Sequence, residues 1–260
     1  LAATYTKGYV AHASIGPSCA VAEMKGGALR LWTHSQGVYP LRNDLAGVLK
    51  LDPQSIVVTH REGSGCYGHN GADDAALDAA LLARAVPGRP VKLQWMREDE
   101  FAWEPFGSAM VMEMRAGLAA DGGIVHWEHE LWSNGHSTRP GRPGDSNLLA
   151  AWYLAEPLTP GRVRGGSQPA GSEDRNAVPL YDFPNQRIVK HLIQEMPLRT
   201  SALRTLGAYG NVLALECFLD EAAAAVGADP VAFRLRHLRD PRGRAVIEAA
   251  AARARWQPGA

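Results

Sequence analysis

Met110-Val111-Met112-Glu113-Met114-Arg115-Ala116-Gly117-Leu118-Ala119 and Ile124-Val125-His126-Trp127-Glu128-His129-Glu130-Leu131-Trp132-Ser133 flank the tripeptide Asp121-Gly122-Gly123. Both runs have strand composition, and the tripeptide between them is a hairpin signal, so two antiparallel strands are predicted here. Upstream, Ser55 to His60 reads as a strand, residues 63–71 as a glycine-rich loop and the stretch after it as a helix. Antiparallel hairpins combined with strand-loop-helix units predict an α+β fold of mixed sheets with flanking helices.

Working outward, residues 4–11, 18–24 and 28–34 read as a group of strands, short and separated by Gly or Pro. Leu41, Leu45, Val48 and Leu49 fall at helical spacing behind Pro40, a good first-turn residue. Asp73 is placed to cap a helix that buries Leu77, Ala80, Leu81 and Ala85 and stops at Pro87-Gly88, after which Val91 to Met96 is a further strand. Residues 135–186 are dense in Pro, Gly, Ser and Asn, interrupted by a short apolar stretch at Leu148–Leu154, and predict a long ordered surface excursion. Arg187 to Gln194 returns as a strand. Val212, Leu215, Leu219, Ala222 and Val226 mark an amphipathic helix ending at Gly227, with further helices opening at Asp229-Pro230 and spanning Arg244 to Ala254. The expected organisation is a subdomain over 1–134, the excursion over 135–186, and a strand, loop and helices over 187–260.

Lys plus Arg equals Asp plus Glu at 27 each in 260 residues. That balance supplies no basic field for nucleic acid or an anionic membrane surface. Cys19, Cys66 and Cys217 lie far apart with no C-x-x-C pair, too few for an iron–sulfur cluster, so any such cluster belongs to another chain. No apolar run approaches the ~20 residues of a membrane span. Leu1-Ala2-Ala3-Thr4 has no initiator Met, and the chain stops in the turn signal Pro258-Gly259-Ala260, which reads as an internal fragment.

Three segments carry chemistry. Trp32-Thr33-His34-Ser35-Gln36-Gly37 is a strand running into a turn and ending on a carboxamide. Glu62-Gly63-Ser64-Gly65-Cys66-Tyr67-Gly68-His69-Asn70-Gly71 is a glycine loop ahead of a helix, where backbone amides can approach a bulky anionic ligand. Ser201-Ala202-Leu203-Arg204-Thr205-Leu206-Gly207-Ala208 precedes the long helix that holds Glu216. Each has a plain alternative when taken alone: a solvated turn glutamine, a turn or phosphate loop, an arginine pairing near a helix start. A nucleotide phosphate loop is excluded because no Lys-Ser or Lys-Thr follows the glycines.

Together, in this order and spacing, the three segments resemble the molybdenum hydroxylases, the family of xanthine dehydrogenase and aldehyde oxidoreductase. Gln36 matches the glutamine beside the metal's oxo group. Gly65, Cys66, Tyr67 and Gly68 match the G-G-G-F-G-G loop, with Cys66-Tyr67 where Phe-Gly is usual, and Arg204 matches the arginine of A-F-R-G-F-G-G, with Leu206 in place of its second aromatic. Residues 12–22, 63–74 and Trp95-Met96-Arg97-Glu98-Asp99-Glu100 are similar to the nicotinate dehydrogenase branch, which neighbours isoquinoline and aldehyde oxidoreductases.

The resemblance implies that this chain is the first part of the molybdopterin-binding region of a large subunit. It implies a pterin molybdenum cofactor, in its simple or cytosine dinucleotide form, held without direct side-chain ligation of the metal. The implied reaction is hydroxylation of an electron-poor carbon of a nicotinate-like heteroaromatic or an aldehyde, with water as oxygen source. It also implies a small iron–sulfur partner subunit with [2Fe-2S] clusters, a cytochrome or flavin electron acceptor and the remainder of its own subunit; the compartment in a bacterium, cytoplasmic or membrane-associated/periplasmic, is left open by the sequence. The family's general base is a glutamate in a G-x-G-E segment, and residues 1–260 contain no such segment. No catalytic residue is therefore assigned in this chain, and Glu62, Glu98, Asp99, Glu100 and Glu216 are read as surface, capping or structural carboxylates. The competing class is a non-catalytic half of a split subunit that serves as a cofactor-binding scaffold. Among the histidines, His126 and His129 would face opposite sides of one strand and not chelate an ion, while His69 is expected to hydrogen-bond within the glycine loop.

Overall fold

The hairpin turn at residues 121–123 joins two long strands, and the chain organises around them. A computed structural model describes residues 1–63, 65–141, 144–166, 168 and 170–258; Ser64 of the glycine loop, Arg142, Pro143, Ser167, Pro169 and the terminal Gly259-Ala260 lie outside the described residues. The elements are β1 (Ala2–Lys7), β2 (Cys19–Lys25), β3 (Ala28–Thr33), α1 (Val38–Leu49), β4 (Ile56–His60), α2 (Ala72–Ala85), β5 (Pro90–Gln94), α3 (Arg97–Trp103), β6 (Met110–Leu118), β7 (Ile124–Ser133), β8 (Gln186–Leu192), α4 (Ala208–Ala225), α5 (Pro230–His237) and α6 (Pro241–Ala254).

Two mixed four-stranded sheets result, ordered β1-β6-β7-β8 and β4-β3-β2-β5. In the first, β6 and β7 pair antiparallel from Met110↔Ser133 to Leu118↔Ile124, with a register shift at Gly117/Leu118, as the hairpin signal predicts. Along β7 the odd positions Trp127, His129 and Leu131 are buried, the period-2 pattern of a half-buried strand, so His126 and His129 do face opposite sides. In the second sheet α1 is the crossover between parallel β3 and β4.

Each sheet has its own core. Leu29, Leu31, Leu41, Leu45, Ile56 and Leu77 anchor one, formed by the second sheet with α1 and α2. Met112, Trp127, Phe183, Leu215, Phe218 and Phe233 anchor the other, where α4 and α5 cover the first sheet and Trp127 stacks on Phe183 with ring centroids 4.5 Å apart. Residues 1–134 contribute strands to both sheets, because β1 pairs with β6 and not with its sequence neighbours β2 and β3. Strand period identifies a strand but not its partner, which is why the three upstream runs read as one group.

The segment between β7 and β8 is more than a surface excursion. These two strands are parallel, and parallel neighbours require a long crossover; this one runs over the molecule and returns. It buries Leu148, Ala151, Ala177, Tyr181 and Phe183 in the two cores. Smaller departures follow from local chemistry. The cap of α2 is Gly71, with the Ala72 N–H donating to Asn70 Oδ1 at 3.1 Å, so Asp73 sits within the first turn instead of capping it. Ala83, not Ala85, ends the buried face of α2, and Val212 of α4 is exposed. The short helix α3 has no periodic apolar pattern to announce it; Asp99 accepts the Met96 N–H at 2.9 Å and closes its first turn. No helix among the described residues is long and apolar enough to cross a membrane.

Candidate functional site

The glycine loop and the segment before α4 lie back to back. The His69 N–H donates to the Ala202 carbonyl at 2.7 Å and the Arg204 N–H to the Tyr67 carbonyl at 2.7 Å, a two-bond antiparallel bridge between Gly68 and Leu203. Gly68 has φ +133°, and a Cβ there would stand 1.9 Å from the Ala202 oxygen. Only glycine allows this approach. Gly65, at φ +109°, leaves room for the Tyr67 ring, since a Cβ on it would fall 2.6 Å from the Tyr67 hydroxyl. Tyr67 itself has φ +59°, and Thr205 and Leu206 have φ +77° and +56°. Departures of this kind in non-glycine residues cost roughly 1–3 kcal/mol each and are characteristic of segments held in place for display. Here they turn the chain out of the bridge at Arg204.

Beneath the loop is a buried polar floor. His69 Nδ1 lies 2.7 Å from Ser201 Oγ and 3.0 Å from the Thr138 carbonyl, and its Nε2 is 3.1 Å from Asp73 Oδ2. Its contacts thus reach beyond the loop to α2, the crossover and the segment before α4. Burial alone would push the Asp73 carboxyl up; contact with His69, a hydrogen bond from Ser35 and the charge of Arg139 outweigh it and hold the group below the usual carboxylate range. Ser35 is in turn the neighbour of Gln36, so the floor links the end of β3 to the loop.

Gln36, Cys66, Tyr67, Gly68 and Arg204 line one open cleft of about 580 Å³. Gly65, expected with them, is not among the lining residues. Cys66 donates its thiol proton toward the Gly68 carbonyl at 3.0 Å and Asn70 Oδ1 at 3.2 Å, and burial pushes the thiol pKa up. A protonated, hydrogen-bonded thiol is a poor metal ligand and nucleophile.

Two further arginines line the cleft, Arg139 and Arg175, both from the crossover whose composition predicts a surface excursion. Arg139 Nη2 donates to Gln36 Oε1 at 3.3 Å, leaving the glutamine's amide N–H groups to the cleft. Asn211 of α4 donates to the Glu173 and Arg175 carbonyls, both at 2.9 Å, which sets the turn carrying Arg175 against the helix start. Gly207 permits that contact, because a Cβ there would meet the Glu173 oxygen at 2.1 Å. No local signal marks these arginines; only the crossover's path brings them here.

The other candidates fall outside the cleft. Glu100 accepts from Ser18 N and Oγ at 2.7 and 3.0 Å, and Glu104 accepts from His12 N at 2.8 Å, so α3 and the residue that caps its end pin the loop before β2 with two buried carboxylates. Glu216 binds Tyr181 and Arg234, and Glu62 is exposed beside a separate shallow pocket. Among the described residues no group of three His, Cys, Asp or Glu side chains is placed to hold a metal ion. The cleft presents hydrogen-bond donors, an amide and guanidinium groups, and no carboxylate lining. That donor set fits a ligand rich in anionic oxygens and itself carrying any metal.

Comparison with known proteins points the same way. The model of the molybdopterin cofactor-binding domain matches residues 1–148. The B-type subunit of nicotinate dehydrogenase from Pseudomonas putida is 40% identical over 260 residues, 99% of this chain and 20% of that protein. The beta subunit of isoquinoline 1-oxidoreductase from Brevundimonas diminuta is 29% identical over 234 residues, 89% of this chain and 27% of that one. The aldehyde oxidoreductase of Desulfovibrio gigas shares the fold, with a TM-score of 0.71 over 98% of this chain and 27% of its own at 20% identity. The chain thus spans about a fifth to a quarter of the length of these curated relatives.

Proposed function

From the premise that this chain belongs to the molybdopterin cofactor-binding domain family, we propose that it forms one wall of the molybdenum site of a hydroxylating oxidoreductase. The substrate is an electron-poor carbon of an N-heteroaromatic ring or an aldehyde, and water is the oxygen source. The observation that carries this reading is the convergence of Gln36, the Cys66–Gly68 loop and Arg204 on a single cleft.

Gln36, the backbone of residues 65–68 and Arg204 hold the cofactor. When bound, it supplies the metal at which oxygen passes to carbon and two electrons are taken up. The protein's own part is orientation. Gln36, turned by Arg139, donates its amide into the cleft; the strained Thr205-Leu206 turn displays Arg204; Cys66, smaller than the phenylalanine usual in the family, leaves width for a ring. The general base is supplied from outside residues 1–260, as is the electron route through an iron–sulfur subunit to a cytochrome or flavin acceptor. The cofactor is the simple pterin or its cytosine dinucleotide. The identity to the nicotinate dehydrogenase chain favours a nicotinate-like ring over the alternatives.

The test is metal and pterin analysis of the full-length complex, with turnover measured on nicotinate, isoquinoline and aldehydes. Molybdenum at about one per complex with turnover of any of these supports the reading, and a complex free of molybdenum and inert on all of them overturns it. A chain whose coding frame ends here, with the base on a separate polypeptide, would make this the scaffold half of a split subunit.

A further inference from the structure

We infer that Arg139 and Arg175 form an anion subsite that receives the carboxylate of an aromatic substrate, making the cleft selective for carboxylated rings over neutral rings and aldehydes. This rests on the reading above and names the substrate class of that site.

Both arginines line the cleft, and among the described residues neither is within ion-pair distance of a carboxylate. The chain as a whole carries equal numbers of acidic and basic residues, 27 of each, so this local excess of positive charge is a matter of placement. The nearest acid in the floor, Asp73, is already taken by His69 at 3.1 Å. Arg139 uses one terminal nitrogen on Gln36 at 3.3 Å, and Arg175 uses Nε on the Ala170 carbonyl at 2.8 Å. Guanidinium carries five N–H donors, so each arginine keeps donors for a ligand in the cleft.

The two arginines are also anchored through their backbones. The Arg139 carbonyl accepts from Asn147 Nδ2 at 3.1 Å, and the Arg175 carbonyl accepts from the buried Asn211 at 2.9 Å. Ser137 Oγ and Ser172 Oγ, two and three residues from them, stand 3.1 Å apart and tie the two stretches of the crossover together. Fixed backbones with planar forks suit a carboxylate, which guanidinium binds through paired N–H···O bonds. The charge of Arg139 reaches the Asp73 carboxyl and the Cys66 thiol, favouring the ionised form of each, so its field covers the floor where a ring would lie.

A cofactor phosphate shares this chemistry. Arg204 lies in the segment that resembles the family's cofactor contact, whereas Arg139 and Arg175 lie outside all three such segments. The carboxylate of a substrate is therefore assigned to this pair. Arg139 is bonded to Gln36, so an occupied subsite is also felt at the residue that faces the reacting centre.

The experiment is isothermal titration of the full-length holoenzyme with nicotinate and with nicotinamide, its uncharged isostere, for the unmodified protein and for Arg139→Gln, Arg175→Gln and Arg175→Lys. Nicotinate is expected to bind at least tenfold more tightly than nicotinamide. Each Gln variant should weaken nicotinate about 10- to 100-fold, the range for a hydrogen bond to a charged group. Arg175→Gln, whose side chain bonds the Ala170 carbonyl and not Gln36 in the unmodified protein, should leave nicotinamide within about twofold and keep the molybdenum and pterin content of the unmodified protein. Arg175→Lys should recover part of the loss. Equal affinity for the two ligands, or a parallel loss of both in Arg175→Gln, overturns the subsite. Loss of molybdenum and pterin from Arg175→Gln also overturns it and hands the arginines to the cofactor phosphate. Selective nicotinate binding without turnover of any substrate would leave the subsite standing while the hydroxylase reading fell.

Discussion

The His69 amide and the Ala202 carbonyl, 133 residues apart in the chain, meet at 2.7 Å, and this bond presses the glycine loop against the segment that displays Arg204. Everything that the cleft presents depends on that approach, because the end of β3, the loop and the crossover all contact one of its two sides.

Gly68→Ala tests it directly. The added Cβ would stand 1.9 Å from the Ala202 oxygen at a φ of +133°, so the bridge must open. A loss of at least about 2–3 kcal/mol in unfolding free energy is expected, in the range of backbone strain combined with a lost buried hydrogen bond. Denaturant unfolding of the full protein measures it, and a midpoint within error of the unmodified protein would show that the bridge is dispensable.

Gln36 is exposed and, among the described residues, its side chain bonds Arg139, so Gln36→Ala should leave folding intact. Turnover of the full-length enzyme should fall about 10- to 100-fold, the usual weight of one partner around a metal centre. Unchanged turnover with an unchanged melting curve would remove Gln36 from the site.

Cys66→Phe narrows the cleft with a larger side chain and removes the bonds to Gly68 and Asn70. Ring substrates should lose more kcat/KM than small aldehydes, and Cys66→Ser should behave close to the unmodified enzyme on both. Equal losses on rings and aldehydes in the Phe variant would argue against a width-setting role.

Glu104 gives a pH signature. Burial raises its pKa to about 7 despite the N–H bonds from His12 and Ala13, so ionising it costs stability in the folded state. The sign follows: its favourable contribution is complete below the ordinary glutamate pKa and is lost as pH rises through about 7. His12, lowered to about 4 chiefly by burial, runs the other way, its contribution being lost as pH falls. The two offset each other in the unmodified protein, and a variant separates them. The melting temperature of Glu104→Gln minus that of the parent should climb between pH 4.5 and 7, on the order of 2–4 °C per kcal/mol relieved. A difference that is flat or falling over this range would show that the carboxyl ionises without penalty.

What the sequence by itself determined lies within short spans. The hairpin follows from Asp121-Gly122-Gly123 because the turn's backbone geometry is decided by its own residues, and α4 follows from a repeat of three and four. The three motif segments are legible for the same reason, since glycine loops and strand ends announce themselves over a few positions. The tertiary structure alone decided that β1 joins β6 in place of β2, that the polar segment after Ser133 is a crossover between parallel strands, that Asp73 serves His69 and not a helix end, and that Arg139 and Arg175 stand beside Gln36. Local pattern specifies which face of an element is buried, but it carries no address for a partner a hundred residues away. That choice is made by the sum of packing and hydrogen bonds over both sheets at once, and it exists only when the chain is folded.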